Sequence, residues 1–195
     1  SIAHPDYREQ LVREAIEARY LRQDLAAMGG KIRVGPPELR TSYLVDDGTQ
    51  ISFRSIRATD EPLVKDLFYA LSQETIYYRF MRNLKTLPHK QIQDFVYIDH
   101  RNEVAIVATL PEAHGEDIVA IGRYYLDQAS NRAEVAFVVR DAWQNRGIGT
   151  DLLRVLIQTA KRNGIAGFTA EVLRANKAMQ AVFHRSGCKV TSHLA

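Results

Sequence analysis

Gln144-Asn145-Arg146-Gly147-Ile148-Gly149 joins two segments of different rhythm. Before it, Arg132 to Arg140 contains Ala-Glu-Val-Ala-Phe-Val-Val, a run rich in β-branched residues that reads as a strand. After it, Leu152, Leu153, Leu156, Ile157 and Ala160 recur at helical spacing, and Asn163-Gly164 supplies the stop. A strand-to-helix junction leaves main-chain N–H groups unpaired at the positive end of the helix dipole. An anion placed there gains several charge-assisted hydrogen bonds. Gly147 and Gly149 would let a pyrophosphate approach the backbone where a Cβ would obstruct it. Arg146 adds a charge and Thr150 a hydroxyl. A lone Gly-x-Gly is a weak pattern and serves equally to make a tight turn. The dinucleotide fingerprint is excluded, since it needs a third glycine and an acidic residue ~20 positions on. A Walker loop is excluded by the lack of Gly-Lys-Ser/Thr.

Upstream, Glu103 to Leu110 and Asp117 to Leu126 give two more strands around a turn at His114-Gly115. Asp46-Asp47-Gly48 is a hairpin signal between Tyr43-Leu44-Val45 and the alternating run Gln50 to Arg57. Thr59-Asp60-Glu61-Pro62 opens a helix carrying Leu63, Val64, Leu67, Phe68 and Leu71. Helical segments over Glu74 to Phe80 and Pro88 to Tyr97 follow it. Downstream, Phe168 to Leu173 reads as a strand, Asn176 to Ser186 as a helix closed by Gly187, and Lys189 to Ala195 as the start of a final strand. Three consecutive strands favour an antiparallel meander, and strand-helix-strand crossings favour parallel pairing at the other end. The fold class is therefore α/β (α+β), a mixed, mostly antiparallel central sheet flanked by helices. Residues 1–40 differ. Tyr7 to Arg22 places Leu11, Ala15 and Ala18 on one helical face, and Met28-Gly29-Gly30 and Gly35-Pro36-Pro37 are breakers. The expected division is a helix and linker over 1–40, the tail of a preceding domain, and a globular domain over 41–195 whose last strand is cut short.

The 195 residues, 46% hydrophobic and 25% charged, suit a soluble globular chain. No apolar run approaches the ~20 residues of a membrane span. The 26 basic and 23 acidic side chains are interspersed, with a net charge of +3 and no basic stripe. That argues against nucleic acid and suits a polyanionic small ligand equally well. Cys188 is the single cysteine, which excludes a disulfide framework and a cysteine metal site and points to a reducing cytoplasm. The six histidines have no metal-ligand spacing.

Gln-x-x-Gly-x-Gly after Ala133-Glu134-Val135-Ala136-Phe137-Val138-Val139 resembles the central motif of the GNAT superfamily of N-acetyltransferases. The strand at 168–172 followed by Asn176, with Gly187-Cys188 where that family usually has Gly-Phe, resembles its second motif. The likeness runs from about Thr41 to the C-terminus. Asp47-Gly48, Phe53-Arg54-Ser55-Ile56-Arg57, Asp60-Glu61, Tyr78-Arg79-Phe80 and Ile98-Asp99-His100 resemble the bacterial protein lysine acetyltransferases of the Pat type. Those are commonly fused to, or act upon, acyl-CoA-handling enzymes. Ser1-Ile2-Ala3-His4-Pro5-Asp6 and the helix after it resemble the C-terminal end of an acetyl-CoA hydrolase/CoA-transferase, implying a fusion. The resemblance implies a GNAT-like acyl-CoA N-acyltransferase fold, acetyl-CoA as cosubstrate, no metal, and a protein lysine or small amine as acceptor.

A lysine amine titrates near ~10.4 and is protonated at neutral pH, so such a site needs a base, a hold on the thioester and donors for the oxyanion. Glu134 is the candidate catalytic base, at the place where the resemblance puts the general base of protein-acetylating members. Partial burial would make its carboxylate a better proton acceptor; its other reading is an exposed strand carboxylate paired with Arg123 or Arg132. In the family this strand carries a bulge and runs beside the pantetheine arm. Phe137, Val138 and Val139 are thus expected to line that channel through their main chain, with an N–H near Val138 or Val139 as oxyanion donor. Gln144, Asn145, Arg146, Gly147, Ile148, Gly149 and Thr150 would surround the diphosphate. Asn176, an N-cap on sequence grounds, gains a pantetheine contact from the resemblance, and Phe183 completes the set. Many members have Tyr where Phe183 stands, to protonate the departing thiolate; a thiol of pKa near ~8.5 can leave without it.

Arg79 and Arg82, beside Tyr77, Tyr78 and Phe80, are candidates for acceptor or nucleotide binding as against a structural role. Tyr124 and Tyr125 are candidates for the acceptor cleft, one of them packing in the core. Cys188 reads as a packed thiol and His184 as surface. Two other functions stay open: an acetyl-CoA-sensing regulatory domain of a fused CoA-transferase/hydrolase, and a small-amine N-acetyltransferase. Expected partners are acetyl-CoA and the acceptor, with no nucleic acid and no membrane, and a homodimer is left open.

Overall fold

The computed structural model describes residues 41–45, 48–82, 84, 88–98, 102–113 and 115–193, together with Glu14. The chain divides into two units, Ser1–Val34 and Gly35–Ala195. In the first, Glu14 is helical; the rest of the helix and linker read over 1–40 lies outside the described residues. The second contains six strands in one sheet, ordered as in the chain: β1 (Thr41–Leu44), β2 (Gln50–Ser55), β3 (Glu103–Glu112), β4 (Gly115–Asp127), β5 (Arg132–Val139) and β6 (Gly167–Thr169). Neighbours are antiparallel as far as β5, and β6 runs parallel to β5. The helices are α1 (Glu61–Tyr69), α2 (Gln73–Phe80), α3 (His89–Val96), α4 (Ile148–Arg162) and α5 (Lys177–His184). This is the mixed, mostly antiparallel sheet with flanking helices that the element order implies.

Strand alternation gives the sheet two cores. On one face Ile106, Ala108, Tyr124, Ala133, Val135 and Phe137 pack with Ile148, Leu152, Leu153 and Leu156 of α4. On the other, Ala105, Val107, Ile118, Ile121 and Val138 pack with Val64, Leu67 and Phe68 of α1 and Ile92 and Phe95 of α3. Because β3 is buried on both faces, it reads as an unbroken apolar run. At Gly122 a Cβ would stand 2.9 Å from Leu156 Cδ1 and 3.0 Å from Leu152, so glycine lets α4 lie close on β4. Arg54 is buried and structural. It donates to both Asp60 carboxylate oxygens at 2.7 and 2.9 Å and to Glu116 at 2.8 Å, tying the start of α1 to the sheet.

Three local features differ from the sequence expectation. Ala108 pairs with Ala120 but Thr109 with Ile118, so Val119 is an extra residue, a bulge in β4. Val119 and Ala120 consequently join the same core although adjacent in the chain. β5, where the bulge was expected, pairs with β4 in unbroken register from Arg132↔Asp127 to Val139↔Ala120. Second, β6 is shorter than 168–173, because pairing covers only Arg132–Glu134 against Gly167–Thr169 before the strands part. Third, no strand forms over 189–193, so among the described residues β6 borders the sheet.

Candidate active site

The parting of β5 and β6 opens a shallow cleft. Its walls are Val135, Ala136 and Phe137 of β5, the segment Ala170–Val172 after β6, Asn176, Met179 and Phe183 at α5, and Tyr78 and Arg79 of α2. Antiparallel bonds alternate in direction along a strand. Arg140 N–H donates to Val119 O at 2.8 Å, so with the observed register the main-chain groups of Ala136 and Val138 face β4. Those of Val135, Phe137 and Val139 face the open edge. Two bonds agree with this parity: Ala166 N–H donates to Asn131 O at 2.9 Å, and Gln144 Nε2 donates to Val139 O at 3.1 Å. The N–H of Val138 is therefore committed to the sheet, whereas that of Val139 points to the cleft side.

The edge leads to the 144–149 turn. Asn145 at φ +60° and Gly147 at φ +82° are left-handed, and such alternation turns successive N–H groups toward one side as an anion cradle. Gly147 is the N-cap of α4, with no side-chain cap. The first helical bond there runs from Asp151 N–H to Gly147 O at 3.0 Å, so Ile148, Gly149 and Thr150 have no carbonyl of the helix to bond. A Cβ on Gly147 would meet nothing within 4 Å, so its φ and not close packing requires glycine there. One on Gly149 would come 3.6 Å from Phe137 and 3.7 Å from Val139 and Val182, facing the gap between β5 and α5. Ile148 is a core residue that offers only its N–H. The Arg146 guanidinium lies 4.6 Å above the Trp143 ring.

Gln144 does not face this cradle. Besides Val139 O it donates to Thr75 Oγ1 at 3.2 Å. Thr75 Oγ1 and Ser72 Oγ donate to Asp141 at 2.7 and 2.6 Å, and Ser72 N–H does so at 2.9 Å. Burial alone would push the Asp141 carboxyl up, but these donors outweigh it and hold it below the usual carboxylate range. The turn is thereby fastened to the N-terminus of α2. Asn176 Oδ1 accepts from Met179 N–H at 3.0 Å, the expected N-cap, while its residue also lines the cleft. Phe183 packs against Phe137 in a tilted arrangement with ring centroids 5.8 Å apart.

Glu134 lies opposite Tyr125 on the α1–α3 face, next along β5 to the cleft residue Val135. It is exposed, against the expected partial burial. Tyr125 opposite it is likewise 45% exposed, so this end of the face is open to solvent. Neither suggested arginine forms an ion pair with it among the described residues. Arg123 instead pairs with Glu103 and donates to Asp94 O at 3.1 Å. Its guanidinium lies 4.7 Å from the Phe95 ring and 4.6 Å from that of Tyr125, and burial pulls it down to about 10. Tyr124 is the core tyrosine, accepting from Asn163 Nδ2 at 2.8 Å. Arg79 reaches the cleft and Arg82 is exposed. Cys188 is exposed, not packed, because the chain leaves α5 there without further cover. Glu171 and Met179 line the cleft without having been singled out by sequence; their nearness to Asn176 was the available signal. Among the described residues no cluster of His, Cys, Asp or Glu could hold a metal.

Residues 68–188 match the acetyltransferase (GNAT) family. The acetyltransferase PA5475 of Pseudomonas aeruginosa is 29% identical over 136 residues, 70% of this chain and 73% of the relative. Acetyltransferase Pat of Mycolicibacterium smegmatis is 34% identical over 118 residues, 60% of this chain but 34% of the relative. Among solved structures, the GNAT domain of S. lividans PAT has a TM-score of 0.72 at 30% identity, covering 78% of this chain and 89% of that one. The cAMP-binding acyltransferase from Mycobacterium smegmatis has a TM-score of 0.52 at 27% identity, and this chain spans 50% of it, with 95% of its own length covered. An open strand edge leading to an uncapped helix N-terminus is thus found in a chain whose relatives are acetyltransferases, and the protein belongs to the acetyltransferase (GNAT) family.

Proposed function

We propose that this enzyme moves the acetyl group of acetyl-CoA onto the side-chain amine of a lysine in a metabolic protein. The observation that carries the acyl-CoA part is the continuity of the open β5 edge with the N–H cradle of α4. Ile148, Gly149 and Thr150 would bind the diphosphate through their N–H groups, with Arg146 adding charge. Val135, Phe137 and Val139 would pair with the pantetheine amides, and Phe183 and Met179 would cover the arm. The likeness to Pat-type acetyltransferases supports lysine as the acceptor.

Glu134 takes the amine proton, directly or through one water. The amine nitrogen then forms its bond to the acetyl carbon, and as the carbon–sulfur bond breaks and the thiolate departs the nitrogen gives up its second proton to solvent. Val139 N–H, which points to the cleft side, is the main-chain group suited to donate to the oxyanion; Val138 N–H is withdrawn from that role. Phe183 has no proton to give, so the leaving thiolate takes one from solvent. Relatives named as acetyltransferases favour catalysis over an acetyl-CoA-sensing module.

The test is steady-state acetylation of lysine peptides and of a cell lysate by the wild type and Glu134→Gln. Losing a general base lowers kcat by roughly 10²-fold or more, while acetyl-CoA affinity stays within a factor of two. An unchanged kcat in the variant would remove Glu134 from the reaction.

A further inference from the structure

Arg79 is a half-buried cation with an unanswered donor. Its Nε is shut off from solvent and has no hydrogen-bond partner among the described residues. Its guanidinium lies 5.1 Å from the Phe80 ring and 5.7 Å from the Phe95 ring, which fix its plane. Nearby Arg123 also has an unpartnered Nε, but its charge is answered by Glu103 and it donates to the Asp94 carbonyl. No carboxylate among the described residues forms an ion pair with Arg79. Burial pulls its guanidinium down, Tyr125 and Glu134 pulling the other way. A donor shut off from solvent is nearly always satisfied in a folded protein. Arg79 also lines the cleft, beside the β5 residues Val135 to Phe137.

We propose that Arg79 binds a carboxylate of the acceptor, so that the preferred substrate is a lysine with an acidic side chain close to it in the protein. The inference rests on the lysine reading above and adds the sequence context of that lysine. The phosphates of acetyl-CoA have their own donors at the α4 N-terminus, at the other end of the β5 edge. The guanidinium instead stands near Glu134, where the amine must arrive. A planar fork held by two rings suits a carboxylate. The charge balance favours a single negative charge, because Glu134 already acts on Arg79 and Glu171 lines the cleft; a dianionic phosphate would be repelled more strongly. Arg79 acts here on substrate choice and takes no part in bond making.

The experiment uses the full chain and lysine peptides in which one Glu is moved through the three positions on either side of the lysine. Each peptide is matched with a Gln version. In the wild type, the best Glu peptide exceeds its Gln partner in kcat/KM by roughly tenfold or more, the value of a hydrogen bond to a charged group. The difference is in KM. Arg79→Gln brings the ratio to near one, Arg79→Lys keeps part of it, and acetyl-CoA affinity measured on the same samples reports that the variants are folded. Equal turnover of Glu and Gln peptides by the wild type overturns this proposal alone. A preference that survives in Arg79→Gln also overturns it. Turnover of no lysine peptide, with acetyl-CoA still bound, would remove the lysine reading and this proposal with it.

Discussion

Gly147 holds φ +82° at the N-cap of α4, and a Cβ built on it would point into open space. Asn and Asp enter the left-handed region more readily than other residues with a side chain, so Gly147→Asn and Gly147→Asp are both expected to fold. Both side chains can accept from the N–H groups that the diphosphate would use, and the Asp carboxylate adds repulsion. Acetyl-CoA affinity should therefore fall in the order Gly, Asn, Asp, the last by roughly tenfold or more, equivalent to at least about 1.4 kcal/mol. Calorimetric titration of the three proteins checks this. Equal affinities would mean that the diphosphate sits elsewhere. Glu134 makes a different point at the same scale. As the proposed base, Glu134 would pass its proton to solvent through its exposed face, and acceptor binding would have to supply whatever dry surroundings the transfer needs.

Along β5 the parity of hydrogen bonding separates residues that can meet a ligand from those that cannot. An acyl-CoA arm paired with the edge should slow hydrogen exchange at Phe137 and Val139. It should leave Ala136 and Val138 unchanged, since they already face β4. Residue-resolved exchange with and without CoA measures this, and protection spread evenly along the strand would contradict an added-strand mode. The β5–turn–α4 junction was legible in the sequence because its signals are local: β-branched residues, two glycines, then Leu152, Leu153 and Leu156 at helical spacing. The bulge at Val119 was not, since Val119 and Ala120 are both apolar and the pattern is the same with or without it. The length of β6 depends on where it diverges from β5, which only the folded sheet decides. Lys189 to His193 have strand-like composition, yet composition does not provide a pairing partner. Arg79 illustrates the same limit. Its place beside β5 depends on Asp141 and Gln144 fastening α2 to the turn, a contact between residues about 70 apart in the chain.

The second unit keeps its two cores on opposite faces of one sheet, and the cleft is the seam where that sheet stops being continuous. β6 is held to β5 through three residue pairs, and beyond them the β6–α5 segment faces the open edge. A ligand seated on α4 and paired with β5 would add contacts across this seam that only the folded unit can offer, which makes binding a measure of the architecture. With ligand at 100 times its Kd the unit should gain about 2.7 kcal/mol. For a domain of this size that is a rise in Tm on the order of 5–11 °C. Trp143 is the single tryptophan of the chain and carries Arg146 over its ring, so its fluorescence follows this unit specifically. CoA without the acetyl group should raise Tm nearly as much as acetyl-CoA, because the cradle and the edge contact parts common to both. In Gly147→Asp, at the same ligand concentration, the rise should shrink to about half or less. A wild-type Tm that ignores millimolar CoA would show that this seam binds no such ligand, and the assignment of the cradle would fall together with the reading of the edge.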